Sequence, residues 1–179
     1  MSRKWGNLGL YYISECQRVV KPGYMVLKTD ANNETKRQPI VDKIPGTIDI
    51  IEYDERVIQR FKERFPDIRI RQGDIRSLPY DDSIYDVVLD LSTLDHIPSI
   101  DVSKVISEYA RVLKHNGTLL LFVWTGDVEG PADWKSNQQY YFGCDLIEDA
   151  LCQYFDIIAA EEVFTHGNAL LMEYECIKQ

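Results

Sequence analysis

The stretch from Arg69 to Pro98, RIRQGDIRSLPYDDSIYDVVLDLSTLDHIP, constrains this chain more than any other. It opens on an apolar-alternating run, turns at Gly73-Asp74, crosses a Leu78-Pro79 loop and enters a dense apolar run from Tyr85 to Leu91. Short Val/Ile/Leu runs of this kind are buried parallel strands. Their functional groups sit just past the carboxyl ends, where loops open onto a crevice. Asp74 and Asp90 occupy such ends.

The rest of the chain alternates in the same way. Leu8 to Val20 has helical spacing and stops at Pro22-Gly23, a lead-in occupying residues 1–23. Tyr24 to Leu27 is a first strand, and a helix is expected around Thr35 to Lys43, before the Pro45-Gly46 turn. Thr47 to Glu52 is a second strand. Asp54 caps a helix from Glu55 to Phe65, whose Val57, Ile58, Phe61 and Phe65 share one face. Ile68 to Arg71 and Asp86 to Asp90 are strands three and four. A helix begins at Asp101 or Ser103 and closes at His115-Asn116-Gly117, with Gly117 supplying the left-handed residue. Thr118 to Trp124 is a buried strand, Thr125 to Trp134 a surface loop, and Gln138 to Tyr154 helical. Phe155 to Phe164 and Ala169 to Ile177 form a hairpin turning at 165–168. Strands alternating with helices predict a doubly wound α/β domain, mainly parallel, with helices on both faces and a C-terminal antiparallel hairpin. The whole chain, 1–179, reads as one domain.

Gly73-Asp74, Leu78-Pro79, Tyr85-Asp86 and Leu94-Asp95-His96 together resemble the class I (Rossmann-like) S-adenosylmethionine-dependent methyltransferase family. The resemblance covers nearly the whole chain and implies a seven-stranded sheet with an antiparallel last strand. It implies S-adenosylmethionine as cofactor, and methyl transfer to an oxygen or nitrogen of a small acceptor. Glu52 ends strand two, where an acid can accept both hydroxyls of a ribose; otherwise it is a solvated strand-end carboxylate. Under the resemblance Tyr53 lies against the adenine, Asp74 accepts from the adenine amino group, and the Ile75 N–H meets a ring nitrogen. Taken alone, Gly73-Asp74 is equally an Asx-turn.

The resemblance breaks at the first loop. Lys28 stands where the family has an acid, and Asp30, Asn32 and Glu34 stand where it has glycines. Their side chains are expected to crowd the methionine end of the cofactor, with Lys28 the compensating partner of its carboxylate. Asp90 and Ser92 line the predicted crevice at the same end. His96, just past strand four, can serve as a general base, since imidazole titrates near neutrality, or be structural. Trp5, Tyr11, Tyr12 and Trp124 either roof the site or belong to the core.

A net charge of −9 argues against a nucleic-acid grip or an anionic membrane surface. The partner expected is a small-molecule methyl acceptor, with a protein partner as the alternative. The four scattered cysteines and the absence of an apolar signal core in MSRKWGN imply a cytoplasmic protein. The altered first loop motivates a second reading: a methyltransferase-like module with weak or no cofactor binding, acting on a partner. A nicotinamide oxidoreductase is disfavoured, because no Gly-x-Gly-x-x-Gly follows strand one.

Overall fold

A computed structural model describes residues 8–35, 39–126, 130–132, 139–166 and 169–179. Helix α1 (Leu8–Val19) leads into strand β1 (Met25–Lys28), and β2 (Thr47–Glu52), α2 (Glu55–Arg64) and β3 (Arg69–Gln72) follow. Strand β4 (Tyr85–Leu91), helix α3 (Val102–Val112) and strand β5 (Leu113–Gly126) complete the parallel part. A ribbon of β6 (Gly130–Ala132) and β7 (Gln139–Tyr141), helix α4 (Cys144–Leu151), and strands β8 (Phe155–His166) and β9 (Ala169–Lys178) finish the chain.

The main sheet has seven strands in the order β3-β2-β1-β4-β5-β9-β8. Pairs from β3 through β5 are parallel, while β9 runs antiparallel to both β5 and β8. The α/β architecture and C-terminal antiparallel hairpin expected from the sequence are therefore present.

Strand residues alternate between two cores. Leu27, Val88, Leu119 and Leu121 face α3 and α4, among Val105, Ile106, Tyr109 and Ile147. Val26, Val87, Leu89 and Leu120 face α1 and α2, among Ile13, Cys16, Val57 and Phe61. Burial on both faces explains why β4 reads as an almost unbroken apolar run.

Several local expectations are corrected. Residues 39–43, within the expected Thr35–Lys43 helix, are not helical; residues 36–38 lie outside the described residues. Pro39 sits inside that span, where it removes a backbone donor and biases the preceding residue away from helical angles. A short 3-10 turn, Asn33–Thr35, stands there, and Ile40, Val41 and Ile44 pack into the core without a helix. Helix α3 ends at Val112, and Leu113 is already extended. The left-handed residue downstream is Asn116 (φ 61°), not Gly117. Gly117 answers a different need: a Cβ there would lie 2.9 Å from the Lys114 carbonyl and 3.2 Å from that of Asp86. Part of the expected Thr125–Trp134 loop is strand, β6 pairing with β7, and the expected helix from Gln138 shortens to α4. Of the 165–168 turn, Thr165 and His166 extend β8, and 167–168 lie outside the described residues.

The motif residues hold the sheet together. The Tyr85 hydroxyl donates to Asp49 Oδ2 at 2.9 Å. Asp86 accepts from the Met25 N–H at 2.8 Å and from Lys114 Nζ at 2.7 Å, tying the start of β1 to β4. Leu78 gives its N–H to Glu108 Oε2 at 2.7 Å, while Arg111 Nη2 donates to the Leu78 carbonyl at 2.9 Å. These bonds fix the Leu78-Pro79 loop on α3.

Candidate active site

Strands β1 and β4 lie side by side, and the chain order reverses direction between them. Open α/β sheets form their ligand crevice at such a switch point, beyond the carboxyl ends of the strands. A cavity of about 1000 Å³ opens there. That is the upper end of the ~300–1,000 Å³ typical of small-molecule sites.

Glu52 and Asp74 both line this cavity, from the ends of the adjacent parallel strands β2 and β3. Glu52 Oε1 accepts from the N–H groups of Tyr53 and Asp54 at 2.8 and 2.9 Å. Its Oε2 accepts from the Ala31 N–H at 3.0 Å, across in the first loop. Tyr53 is 74% exposed at the cavity wall. Asp54 caps α2 through the Arg56 N–H at 2.8 Å, and Arg56 holds its carboxyl down at about 2.

Asp74 forms an Asx-turn, Oδ1 accepting from the Arg76 N–H at 2.8 Å. The Arg76 guanidinium also chelates it, Nε at 3.0 and 3.1 Å and Nη2 at 2.6 Å. These three N–H donors, with Nε shared between the two oxygens, hold the carboxyl below its usual range. Arg76 reaches on to Asp101 Oδ2 at 3.0 Å, so the expected cap residue of α3 anchors this guanidinium and caps nothing. The sequence reading passed over Arg76; Asp-x-Arg directly after a strand end was its available signal. Ile75 lines the cavity beside Asp74, and a Cβ on Gly73 would lie 2.7 Å from Ile51 Cδ1. The Gly73-Asp74 pair is thus the close approach that seats this loop on β2.

The first loop differs from expectation. Asp30 and Asn32 line the cavity, but Glu34 is fully buried and turned away from it. Glu34 Oε2 accepts from the N–H groups of Ile40 and Val41 at 2.6 and 3.1 Å. Lys28 is also fully buried and does not line the cavity. Its ammonium donates to the Asp30 carbonyl at 2.6 Å and to Asp30 Oδ2 at 2.9 Å, and lies 3.3 Å from Glu34 Oε1. Burial alone would lower the Lys28 pKa; Asp30 and Glu34 more than reverse it. Neither the expected obstruction by Glu34 nor the expected cofactor contact by Lys28 fits these positions. The two residues form the loop's internal clamp.

Asp90 likewise stands behind the wall. It accepts from the Thr93 and Leu94 N–H groups at 2.7 and 3.3 Å and from the Tyr109 hydroxyl at 2.7 Å. Burial pushes its carboxyl up to about 6. Asp95 is fully buried, takes the Trp124 N–H at 2.8 Å, and burial pushes it well above the usual range. Ser92 does reach the cavity, in a left-handed conformation (φ 69°), with its hydroxyl 3.4 Å from that of Tyr12. His96 is exposed at the same wall, next to Ile97. Leu8 and Tyr12 from α1, Trp124 from β5, and Tyr140 and Tyr141 from β7 complete the lining. Of the aromatic residues left between roof and core, Tyr12 and Trp124 are on the cavity, Tyr11 packs against the core, and Trp5 lies outside the described residues.

Residues 38–121 match the family model of the methyltransferase domain. Over 71 residues, 40% of this chain, the sequence is 32% identical to a Mycolicibacterium smegmatis protein named "Probable S-adenosylmethionine-dependent methyltransferase", and 30% identical to a similarly named Mycobacterium tuberculosis protein. The matched stretch spans about a quarter of the length of each, 27% and 25%. A Pyrococcus horikoshii OT3 protein shares the fold with a TM-score of 0.79 at 16% identity, covering 99% of this chain and 92% of its own. Geranyl diphosphate C-methyltransferase from Streptomyces coelicolor A3(2), in complex with S-adenosyl-L-homocysteine, gives 0.77 at 9% identity, covering 97% and 79%. No helix among the described residues is long and apolar enough to cross a membrane. The strand order, the domain match over residues 38–121 and these relatives make the chain similar to class I S-adenosylmethionine-dependent methyltransferases, in sequence over part of its length and in fold throughout.

Proposed function

We propose that this domain binds S-adenosylmethionine in the cavity beyond β1–β4 and transfers its methyl group to an oxygen or nitrogen of a small acceptor. The observation that carries this reading is the placement of Glu52 and Asp74 on one cavity, at the ends of adjacent parallel strands. Glu52 is the acceptor for the ribose hydroxyls, beside the exposed ring of Tyr53 as a flat apolar wall for the base. Asp74 and the Ile75 backbone stand at the adenine edge, with Arg76 holding the Asp74 carboxylate in place. Asp30, Asn32 and Ser92 line the methionine end. The cofactor supplies an electrophilic methyl on a sulfonium. The chain's own contribution is alignment of the acceptor for in-line displacement, with His96 as the group placed to take a proton. The four cysteines are free thiols, in keeping with a reducing cytoplasm.

The side chains of Asp30 and Asn32 stand where the family places glycine, and this favours a second reading: weak cofactor binding by a partner-binding module. Calorimetric titration with S-adenosylmethionine separates the two. Micromolar binding supports the enzyme, and no heat at millimolar cofactor supports the module.

A further inference from the structure

The cavity is divided by chemistry. Beyond the end assigned to the cofactor, its walls are Tyr12, Trp124, Tyr140 and Tyr141, with Leu8 and Ile97 between them. Two of these rings are locked by edge-to-face packing, Tyr12 on Phe122 at 4.6 Å and Trp124 on Phe164 at 6.1 Å. Strand β7, bearing Tyr140 and Tyr141, packs beside the Leu94–His96 turn. Fixed aromatic walls favour a planar guest.

Three acidic side chains stand where the methionine end meets this aromatic part of the cavity. Asp30 is on the wall; Asp90 and Asp95 are buried behind Ser92 and Thr93. Burial raises the Tyr12 phenol pKa, the Ser92 hydroxyl opposes this, and nearby Asp95, Asp30 and Asp90 add to the rise. Asp95 Oδ2, fully buried, has no hydrogen-bond partner among the described residues.

We propose that the acceptor is a planar, weakly basic nitrogen compound, an aromatic N-heterocycle or arylamine, methylated on its nitrogen between these rings. The inference rests on the S-adenosylmethionine reading above. A weakly basic nitrogen is neutral before transfer. Its lone pair forms the new N–C bond while the C–S bond breaks and that electron pair stays on sulfur, leaving a thioether. Positive charge thereby moves onto the acceptor nitrogen. A pyridine-type nitrogen keeps it; an N–H nitrogen loses its proton to His96 or water. The Asp30 and Asp90 carboxylates and the ring faces stabilise a cation that grows along this path more than the neutral starting compound, and that difference is what accelerates a reaction. An acidic hydroxyl or a carboxylate acceptor must attack as an anion, and the same field repels it.

The test uses two-ring probes of similar shape and opposite charge. The purified protein is first titrated with S-adenosylhomocysteine, then, at saturation, with N-methylisoquinolinium and with 2-naphthoate. The cation is expected to bind at least about tenfold tighter, a gap of ~1.4 kcal/mol. Asp30→Asn is expected to narrow that gap. Isoquinoline is expected to accept labelled methyl faster than 2-naphthol. Tighter binding of 2-naphthoate, or binding of neither probe to the S-adenosylhomocysteine complex, overturns this inference alone. Failure of the first titration overturns the cofactor reading and this inference with it.

Discussion

The Glu52 carboxylate accepts from the Ala31 backbone N–H at 3.0 Å, so the end of β2 and the loop after β1 are held as one unit. The residue proposed to accept the ribose hydroxyls therefore also shapes the first loop. Glu52→Ala removes both functions, whereas Glu52→Gln keeps a neutral carbonyl acceptor. Loss of hydrogen bonds to a charged acceptor costs about 1.5–3 kcal/mol. Binding of S-adenosylhomocysteine is expected to weaken by that amount in Glu52→Ala and by less in Glu52→Gln. Equal affinities in the two variants and the wild type exclude Glu52 from the site.

Lys28, Asp30 and Glu34 form a clamp within the first loop. Removing the ammonium leaves the buried Glu34 carboxylate without its counter-ion, and breaking a buried pair costs about 3–5 kcal/mol. Lys28→Met is expected to lose stability on that scale in urea unfolding. Adding Glu34→Gln to it is expected to restore part of the loss, because the two sites are in contact. Strict additivity shows that the pair is not coupled.

The same geometry separates the two cavity-facing residues of the loop. Asn32→Gly clears a side chain from the wall and is expected to leave or tighten S-adenosylhomocysteine binding, against ~0.5–1 kcal/mol of added backbone entropy. Asp30→Gly removes a partner of Lys28 and is expected to lower both stability and affinity. A gain in affinity from Asp30→Gly contradicts the clamp.

Asp90 titrates in the folded protein near 6, above its usual 3.8. Between these values the folded state holds a proton that the unfolded state has released. The stability associated with this group is thus full below about pH 4 and is lost as pH rises through about 6. Asp90→Asn is expected to flatten that part of the stability profile. Unfolding curves from pH 4 to 7 check it, and an unchanged wild-type-minus-variant difference across the range refutes it.

Much of the fold was legible because its determinants are local and repeated. Alternating runs such as Val87 to Leu91 advertise burial on two faces, and Asp54 before Glu55 announces a helix start. Glu52, Asp74 and Ser92 were found on the cavity because strand ends in an α/β sheet converge on one side. What the sequence concealed was side-chain direction. The family resemblance put Lys28 and Glu34 at cofactor positions, yet each found a nearer partner, and a buried ion pair between them turned both inward. Pro39 was visible inside the expected helix, and residues 39–43 are not helical. Tyr140 and Tyr141 were read as helical because the spacing of Leu146, Ile147, Ala150 and Leu151 was extended backward across Gly143, the N-cap of α4.

The central claim is that Glu52 and Asp74 form one cofactor site, and titration with S-adenosylhomocysteine across three proteins tests it most directly. Wild type, Glu52→Ala and Asp74→Ala are compared by calorimetry at one pH and salt concentration, with circular dichroism confirming that each is folded. The account predicts one-to-one binding to the wild type, weakened at least about tenfold, or ~1.4 kcal/mol, by each substitution. Wild-type binding that neither substitution alters, in folded proteins, contradicts it.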